Sequence, residues 1–466
     1  MKHVFVKTFG CQMNVHDSRR IEEVLGVEGW AATDRQEEAD LIVLNTCSVR
    51  DKAEHKLRSA LGRLRELKDG HPGMLVALAG CMAQEHGEAL LAELDLVDVL
   101  IGPDNIAELP ALVREAEGGA PPVARTVHDV SDPRFLRATP RAGAPEVSAY
   151  VTVMKGCDER CTFCIVPHTR GPERYRAADD IVAEIHDLVA GGVREVTLLG
   201  QTVNSWFDPS DAEQAGESRF AELLRRIAAD VPGLARLRYT SPHPRHVTAA
   251  LVRAHAELDV LPWHVHLPVQ SGSDRVLKRM LRRYRREDYI ARARALQGAR
   301  PGFTLATDII VGFPGETEDD FVQTLSLVEE VGFAAVFAFK YSPRPHTPAL
   351  QLGDDVTEDQ KAERLARLFE VVDRLQGGHL ASLVGTRARV LVEGQGKEAR
   401  WFGRSHRHEI VHIGAPTGAA LLGTLVDVRI TEAHPRSLIA VVDGVAPPAQ
   451  HRAARASATV RLPVVA

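Results

Sequence analysis

At 466 residues the chain has room for about three domains of roughly 150 residues each. A charged fraction of 26% and a hydrophobic fraction of 44% exclude a wholly disordered chain. The net charge of −6 excludes a global positive field, so any nucleic-acid binding must come from local basic patches. No apolar run approaches the ~18 residues of a membrane span. The opening Met1-Lys2-His3 turns polar too soon for a secretory signal. A cytoplasmic protein is therefore expected, and six cysteines are too few for a disulfide scaffold.

Up to about Glu117, three β-branched runs (Val4 to Thr8, Leu41 to Asn45, Met74 to Ala79) alternate with helical patterns. The helix Asp51 to Lys68 carries Leu57, Leu61, Leu64 and Leu67 on one face. Such alternation predicts an α/β domain with an open parallel sheet over residues 1–117. Residues 118–146 are rich in Gly, Pro, Ala and Arg and read as a linker.

Six strands are predicted over residues 147–377, at 150–155, 195–200, 237–240, 264–267, 304–311 and 334–341, mostly with helices between. That repeat suggests a full or partial (β/α) barrel, with a doubly wound sheet as the alternative. Thr357 to Gln376 closes this section as a helix. Short turn-punctuated runs over residues 378–443 predict a small all-β barrel or sandwich. Residues 444–466 have no periodicity and read as a disordered tail.

Cys157, Cys161 and Cys164 follow a strand as C-x-x-x-C-x-x-C. One loop can wrap three soft thiolates around zinc or an iron–sulfur cluster. With zinc, His168 would be the fourth ligand. With a four-iron cluster, one iron stays open to a small molecule. The other cysteines each end a predicted parallel strand. Cys11 follows Gly10, Cys47 follows Asn45-Thr46, and Cys81 follows Gly80. The ends of parallel strands share one edge, where ligands bind. Three distant thiols would meet there as a second cluster, or else be small buried hydrophobes.

On these motifs the chain resembles the radical S-adenosylmethionine methylthiotransferases. The loop with Phe163 is similar to the radical-SAM signature, and Cys11, Cys47 and Cys81 are similar to the family's auxiliary-cluster triad. The C-terminal section resembles TRAM, an OB-like RNA-binding barrel. Further runs are similar to the branch acting on isopentenyl-adenosine in tRNA: TFGCQMN at 8–14, NTCSVR at 45–50, CTFCIVP at 161–167, HLPVQSGS at 266–273 and DIIVGFPGE at 308–316. The Cys47-Ser48-Val49-Arg50 context argues against the sister branches, which modify threonylcarbamoyl-adenosine in tRNA or an aspartate of a ribosomal protein. Pro172, Tyr175 and His346 depart from the family pattern.

The resemblance implies two 4Fe-4S clusters and S-adenosylmethionine. The cluster on Cys157, Cys161 and Cys164 would chelate S-adenosylmethionine and, with one electron, yield a deoxyadenosyl radical that activates carbon 2 of adenine. The cluster on Cys11, Cys47 and Cys81 would carry the sulfur, which a second S-adenosylmethionine methylates. All six cysteines are thus expected to be metal-ligating and catalytic through their clusters. Phe163, Gln201, Asn204, Ser241, Asp308 and Gly312 are expected at the cofactor, and His243 lies beside them. Expected partners are tRNA and a low-potential donor such as flavodoxin or ferredoxin, with the chain a monomer.

Two basic stretches support RNA binding. Residues 270–290 hold seven basic against three acidic side chains, and residues 387–407 hold six against two, with Trp401 and Phe402 among them. Arg282, Arg283, Arg285, Arg286, Arg387, Arg400 and Arg404 are the expected phosphate contacts, and the aromatics could stack on bases or fill the barrel. A non-enzymatic metal-bearing RNA-binding protein is the competing class; it would need no S-adenosylmethionine site.

Overall fold

The structure, a computed structural model, describes residues 1–48, 51–131, 133–138, 146–211, 218–396, 400–414 and 420–443; of residues 51–55 it gives the backbone alone. The expected tail, Val49-Arg50 and part of the expected linker lie outside these residues.

The first unit runs β1 (His3–Phe9), α1 (Gln12–Val27), β2 (Ala31–Ala32), β3 (Leu41–Thr46), α2 (Asp51–Gly70), β4 (Leu75–Gly80), α3 (Cys81–Glu93), β5 (Val99–Ile101), α4 (Leu109–Glu117) and β6 (Val123–Arg125). The six strands form one parallel sheet in the order β2-β1-β3-β4-β5-β6. Apolar clusters cover both faces. Ile42, Leu44, Leu57 and Leu64 lie on one, and Val4, Ile21, Leu41 and Val43 on the other. Full burial of β3 explains its unbroken apolar run. Val123–Arg125, in the stretch expected as a linker, is the edge strand of this sheet.

The second unit holds β7 (Ser148–Thr152), β8 (Met154–Lys155), α5 (Val166–Arg170), β9 (Arg174–Tyr175), α6 (Ala178–Ala190), β10 (Glu195–Leu199), α7 (Phe220–Asp230), β11 (Arg236–Tyr239), α8 (Ala249–Glu257), β12 (His264–His266), α9 (Asp274–Arg279), α10 (Arg286–Gln297), β13 (Thr304–Val311), α11 (Glu318–Val331), β14 (Ala335–Lys340) and α12 (Glu358–Ser382). Its six principal strands form two parallel three-stranded sheets, β7-β10-β11 and β12-β13-β14. One continuous apolar core spans both sheets and the helices over them, the packing of a (β/α) half-barrel pair. Thr357 opens α12 with a capping box to Gln360. The helix then runs past Gly377-Gly378, where the sequence suggested a boundary. Leu380 and Leu383 bury in the next core and carry it on.

That core belongs to a closed barrel of β15 (Arg387–Gln395), β16 (Trp401–Ser405), β17 (Ile410–Gly414), β18 (Leu425–His434) and β19 (Ser437–Val442), in the order β15-β16-β17-β19-β18. It packs at the N-terminal ends of the central strands. Trp263 N–H donates to His406 O at 2.8 Å, Arg236 Nη1 to Arg404 O at 3.0 Å, and His264 stacks on His408.

Candidate active site: two cysteine triads joined by a short helix

The register of the first sheet sets Phe9, Thr46 and Gly80 side by side on adjacent strands. Cys11, Cys47 and Cys81 each stand one or two residues beyond that row. Gly80 is required there, because at φ +100° a Cβ would lie 2.5 Å from Thr46 O. Asn14 and Asn45 lock the edge. Asn14 Nδ2 donates to Asn45 Oδ1 at 3.1 Å, and Asn45 Nδ2 donates to Asn14 O at 2.8 Å and Ser18 Oγ at 2.9 Å. Hydrogen bonding to Cys47 lowers Cys11 to about 6 against the opposing effect of burial, while burial raises Cys81.

The second triad follows the β8 strand. At Gly156, φ +76°, a Cβ would lie 1.9 Å from Pro172 O, so only glycine lets the cysteine loop pack on the chain beyond α5. Cys157 N–H donates to Gly171 O at 3.1 Å and seals that contact. Thr162 Oγ1 donates to Arg279 O at 2.9 Å. Cys157 Sγ lies 3.1 Å from Thr202 Oγ1. Burial pushes Cys157 and Cys164 up to about 12, so a metal is what would keep them as thiolates.

Among the described residues, one group alone has metal-capable ligand atoms all within 4.8 Å of one another: Glu159, His243 and His246. Neither cysteine triad is drawn together that tightly. Tetrahedral zinc, with Zn–S near 2.3 Å, would hold its sulfurs closer than about 4 Å. Three soft thiolates suit a four-iron cluster with one iron left open. His168, the fourth ligand that zinc would need, lies against His346 with ring centroids 5.5 Å apart and belongs to no such close ligand group among the described residues.

The two triads share one connection. Helix α5 starts two residues after Cys164 and is about 8 Å long at 1.5 Å per residue. It ends at Arg170, whose Nε donates to Cys81 Sγ at 3.3 Å and whose Nη2 donates to Asp17 Oδ2 at 2.6 Å. Around it runs a polar seam between the units: His16 meets Thr152 at 3.2 Å, Lys155 meets Asp104 at 3.0 Å, and Arg174 meets Asp104 at 2.6 Å. Of the departures, Pro172 forms the shelf under Gly156 and Tyr175 packs on Phe207 at 4.2 Å.

Beyond β10 and β11 and in the cysteine loop after β8, buried polar atoms lack a protein partner: Gln201 Nε2 and Oε1, His243 Nε2 and Glu159 Oε2. Buried polar groups are normally paired, so these fit a polar ligand such as the amino and carboxylate groups of S-adenosylmethionine. His243 is held neutral by burial and then by the charge of Arg282. Arg245 N–H donates to its Nδ1 at 3.3 Å, which assigns the ring proton to Nε2.

The other expected cofactor contacts separate. Asn204 is fully buried, and its amide clamps both the N–H (2.7 Å) and the carbonyl (3.0 Å) of His243, so it positions the loop. The close neighbour of Gly312 is the Lys361 side chain, 2.3 Å from where a Cβ would sit. Phe163 packs on Val276, Met280 and Phe313, supporting the cysteine loop. Ser241 is exposed at φ +57°. Asp308 accepts from His266 Nε2 at 3.0 Å on the inner face of β13.

The expected RNA contacts divide too. Arg282 is not one: it is 5% exposed, and its Nη1 donates to Cys161 Sγ at 3.3 Å. Arg283 and Arg285 are exposed, whereas Arg286 pairs with Glu330 at 3.0 Å. On the small barrel, Arg400 is exposed, Arg387 pairs with Asp443 at 2.7 Å, and Arg404 pairs with Glu393. Trp401 packs against the barrel core and the Phe402 ring lies over Gly394, so neither is a free stacking platform. Charge counting missed Arg170 and Arg282 as sulfur partners, and Glu159 meets His243 only through the fold.

A profile described as Uncharacterized protein family UPF0004 matches residues 3–102, the Radical SAM superfamily matches 151–328, and the TRAM domain matches 381–442. In fold, the chain is similar to a radical S-adenosylmethionine methyltransferase, TsrM, from Kitasatospora setae (TM-score 0.53, 16% identity, 75% of this chain and 77% of that one). Fold and cysteine loop together define a radical SAM enzyme, a class that uses a 4Fe-4S cluster and S-adenosylmethionine. A tRNA-2-methylthio-N(6)-dimethylallyladenosine synthase from Sorangium cellulosum (strain So ce56) is 59% identical, over 94% of this chain and 93% of its own length. Proteins of that name from Geobacter metallireducens and Agrobacterium fabrum are 46% and 45% identical over 94% and 95% of this chain, and 98% of each of those proteins. The chain belongs to the tRNA-2-methylthio-N(6)-dimethylallyladenosine synthase family. No helix among the described residues is long and apolar enough to cross a membrane.

Proposed function

We propose that the chain inserts a methylthio group at carbon 2 of isopentenyl-adenosine next to the anticodon, position 37 of tRNAs. The observation that carries this reading is the facing of two cysteine triads across α5, one at the edge of the first sheet and one at the barrel mouth. Cys157, Cys161 and Cys164 would hold one 4Fe-4S cluster, and Cys11, Cys47 and Cys81 a second. When bound, the two would supply the electron that splits S-adenosylmethionine and the sulfur that is transferred; the C–H bond is too strong for acid–base chemistry alone.

The chain's own residues do the rest. Gln201, Glu159 and the Nε2–H of His243 offer unpaired polar atoms that would bind and orient S-adenosylmethionine, with Asn204 holding His243 rigid. The seam from His16 to Arg174 would keep water from the space between the triads. Arg283, Arg285 and Arg400 would track tRNA phosphates, and the adenosine would leave its stack to enter the barrel mouth. A low-potential donor such as flavodoxin or ferredoxin would deliver electrons to a cytoplasmic monomer.

Nucleoside analysis of tRNA from a strain lacking the gene tests this. The methylthio group should vanish and isopentenyl-adenosine should accumulate. Unchanged methylthio-isopentenyladenosine would refute it.

A further inference from the structure

A buried guanidinium touches a cysteine of each triad. Arg170 Nε donates to Cys81 Sγ at 3.3 Å and Arg282 Nη1 donates to Cys161 Sγ at 3.3 Å. Both side chains are nearly sealed from solvent, and both are fixed by further bonds. Arg170 is anchored by Asp17 at 2.6 Å, and its own carbonyl accepts from Arg174 Nη2. Arg282 Nη2 donates to Pro268 O at 2.9 Å, and its Nε donates to Tyr284 Oη at 3.0 Å. The donors therefore cannot swing away from the sulfurs. The two differ in origin. Arg282 belongs to the same unit as the cysteine it touches, whereas Arg170 is a barrel residue touching a cysteine of the first unit.

We propose that Arg170 and Arg282 are positioning residues that tune the two clusters separately, and that Arg170 also makes the N-terminal cluster dependent on docking of the barrel. This rests on the reading that each triad holds a cluster. The physics is that of outer hydrogen bonds at metal sites: a charged donor on a ligand sulfur stabilises the more negative, reduced cluster and orients the ligand. In a water-poor seam such a donor acts strongly, and three thiolates gathered without it would repel one another. Arg170 joins a cationic donor to the N-terminal triad through Cys81. Because it arrives on α5, this donor reaches Cys81 only when the second unit is docked on the first.

The test uses the full chain, reconstituted anaerobically, in wild type, Arg170→Met, Arg170→Lys, Arg282→Met and Asp17→Asn forms. Iron content is counted. Each cluster is then followed by its electron paramagnetic resonance signal through a redox titration. Added S-adenosylmethionine marks the barrel cluster by perturbing its signal. In Arg170→Met, either the N-terminal cluster is lost, leaving about four irons, or its reduced-to-oxidised ratio at a fixed poise falls about tenfold. The barrel signal and its response to S-adenosylmethionine stay as in wild type. Arg282→Met gives the reverse pattern. Arg170→Lys, which keeps the charge, recovers part of the loss, and Asp17→Asn weakens the same cluster through Arg170. Full iron with unaltered signals and titrations in Arg170→Met, or equal damage to both clusters in each variant, would overturn the proposal. Should wild-type protein itself carry no cluster on Cys11, Cys47 and Cys81, the failure would lie with the reading of the triad instead.

Discussion

Asn45 Nδ2 donates to the backbone carbonyl of Asn14 at 2.8 Å, so a buried amide on the third strand is what holds the start of the first helix, and Cys11 with it, against Cys47. The bond lies in the floor of the N-terminal triad. Asn45→Ala removes its three hydrogen bonds to Asn14 and Ser18 and leaves a buried gap, although Ser18 Oγ keeps Thr8 Oγ1 at 2.7 Å, at a cost of about 2–3 kcal/mol. Asn45→Asp costs at least as much, because a carboxylate oxygen then faces that carbonyl. Thermal melts of the apo protein should show both losses, and reconstituted Asn45→Ala should bind less iron than wild type. A wild-type Tm in Asn45→Asp would mean that the network does not hold this edge.

Gly80→Ala should be harsher. The new methyl would meet Thr46 O at 2.5 Å and Asn45 Oδ1 at 2.3 Å, on a backbone at φ +100°. Backbone on the neighbouring strand cannot yield as a flexible side chain can. A loss of several kcal/mol, or failure to fold, is expected. Gly26→Ala, with nothing within 4 Å of the added methyl, is the control and should melt near wild type.

Glu409 ties the small barrel to α12. Burial raises its carboxyl, but hydrogen bonds from His379 and Ser405 and the charge of Arg407 more than offset that and hold it at about 2. The folded value is thus below the ordinary 4.5. The resulting stability is complete above about pH 4.5 and is lost as the pH falls toward about 2. The size is about 3 kcal/mol at 1.36 kcal/mol per pH unit. Apo melts between pH 5 and pH 2.5, in roughly half-unit steps, should show Glu409→Gln losing less stability than wild type over that window. Parallel curves would sink the assignment.

For tRNA, the exposed Arg283 and Arg285 are the clearest test of the charged patch. Their joint replacement by Ala should weaken binding and lower the slope of log K against log salt by up to about 0.9 for each phosphate no longer neutralised. An unchanged slope would place the RNA elsewhere. Removing the whole chain from His379 onward is a blunter measure here, because it would uncover Trp263 and the N-terminal ends of the barrel strands. Its effect on tRNA affinity needs a parallel check that S-adenosylmethionine cleavage survives.

Much of the site could be read from the sequence because its signals are local. The three thiols of one loop sit within eight residues, and the other three each close a strand-like run. Strand ends of a parallel sheet share an edge, so convergence followed. What could not be read depends on orientation. Arg282 and Arg283 are neighbours in a basic run, yet one faces a cysteine sulfur and the other faces solvent. Charge counting assigns both the same role. Asn204 looked like a loop polar group for a ligand, but its amide holds the backbone of His243. Gly377-Gly378 looked like a boundary, but burial of Leu380 and Leu383 outweighs roughly 1 kcal/mol per glycine of helix propensity. Glu159 and His243 are too far apart in sequence for any pattern to join them.

The central claim is the division of labour between the two triads. One measurement tests it most directly: deoxyadenosine and methylthio-nucleoside are quantified from the same anaerobic reactions of Cys157→Ala and Cys47→Ala proteins with reductant, S-adenosylmethionine and isopentenyl-adenosine tRNA. Cys157→Ala should form neither compound. Cys47→Ala should still form deoxyadenosine but no methylthio product, because the barrel loop is intact while the N-terminal triad has lost a ligand. Methylthio-adenosine from Cys47→Ala in stoichiometric yield would contradict the account.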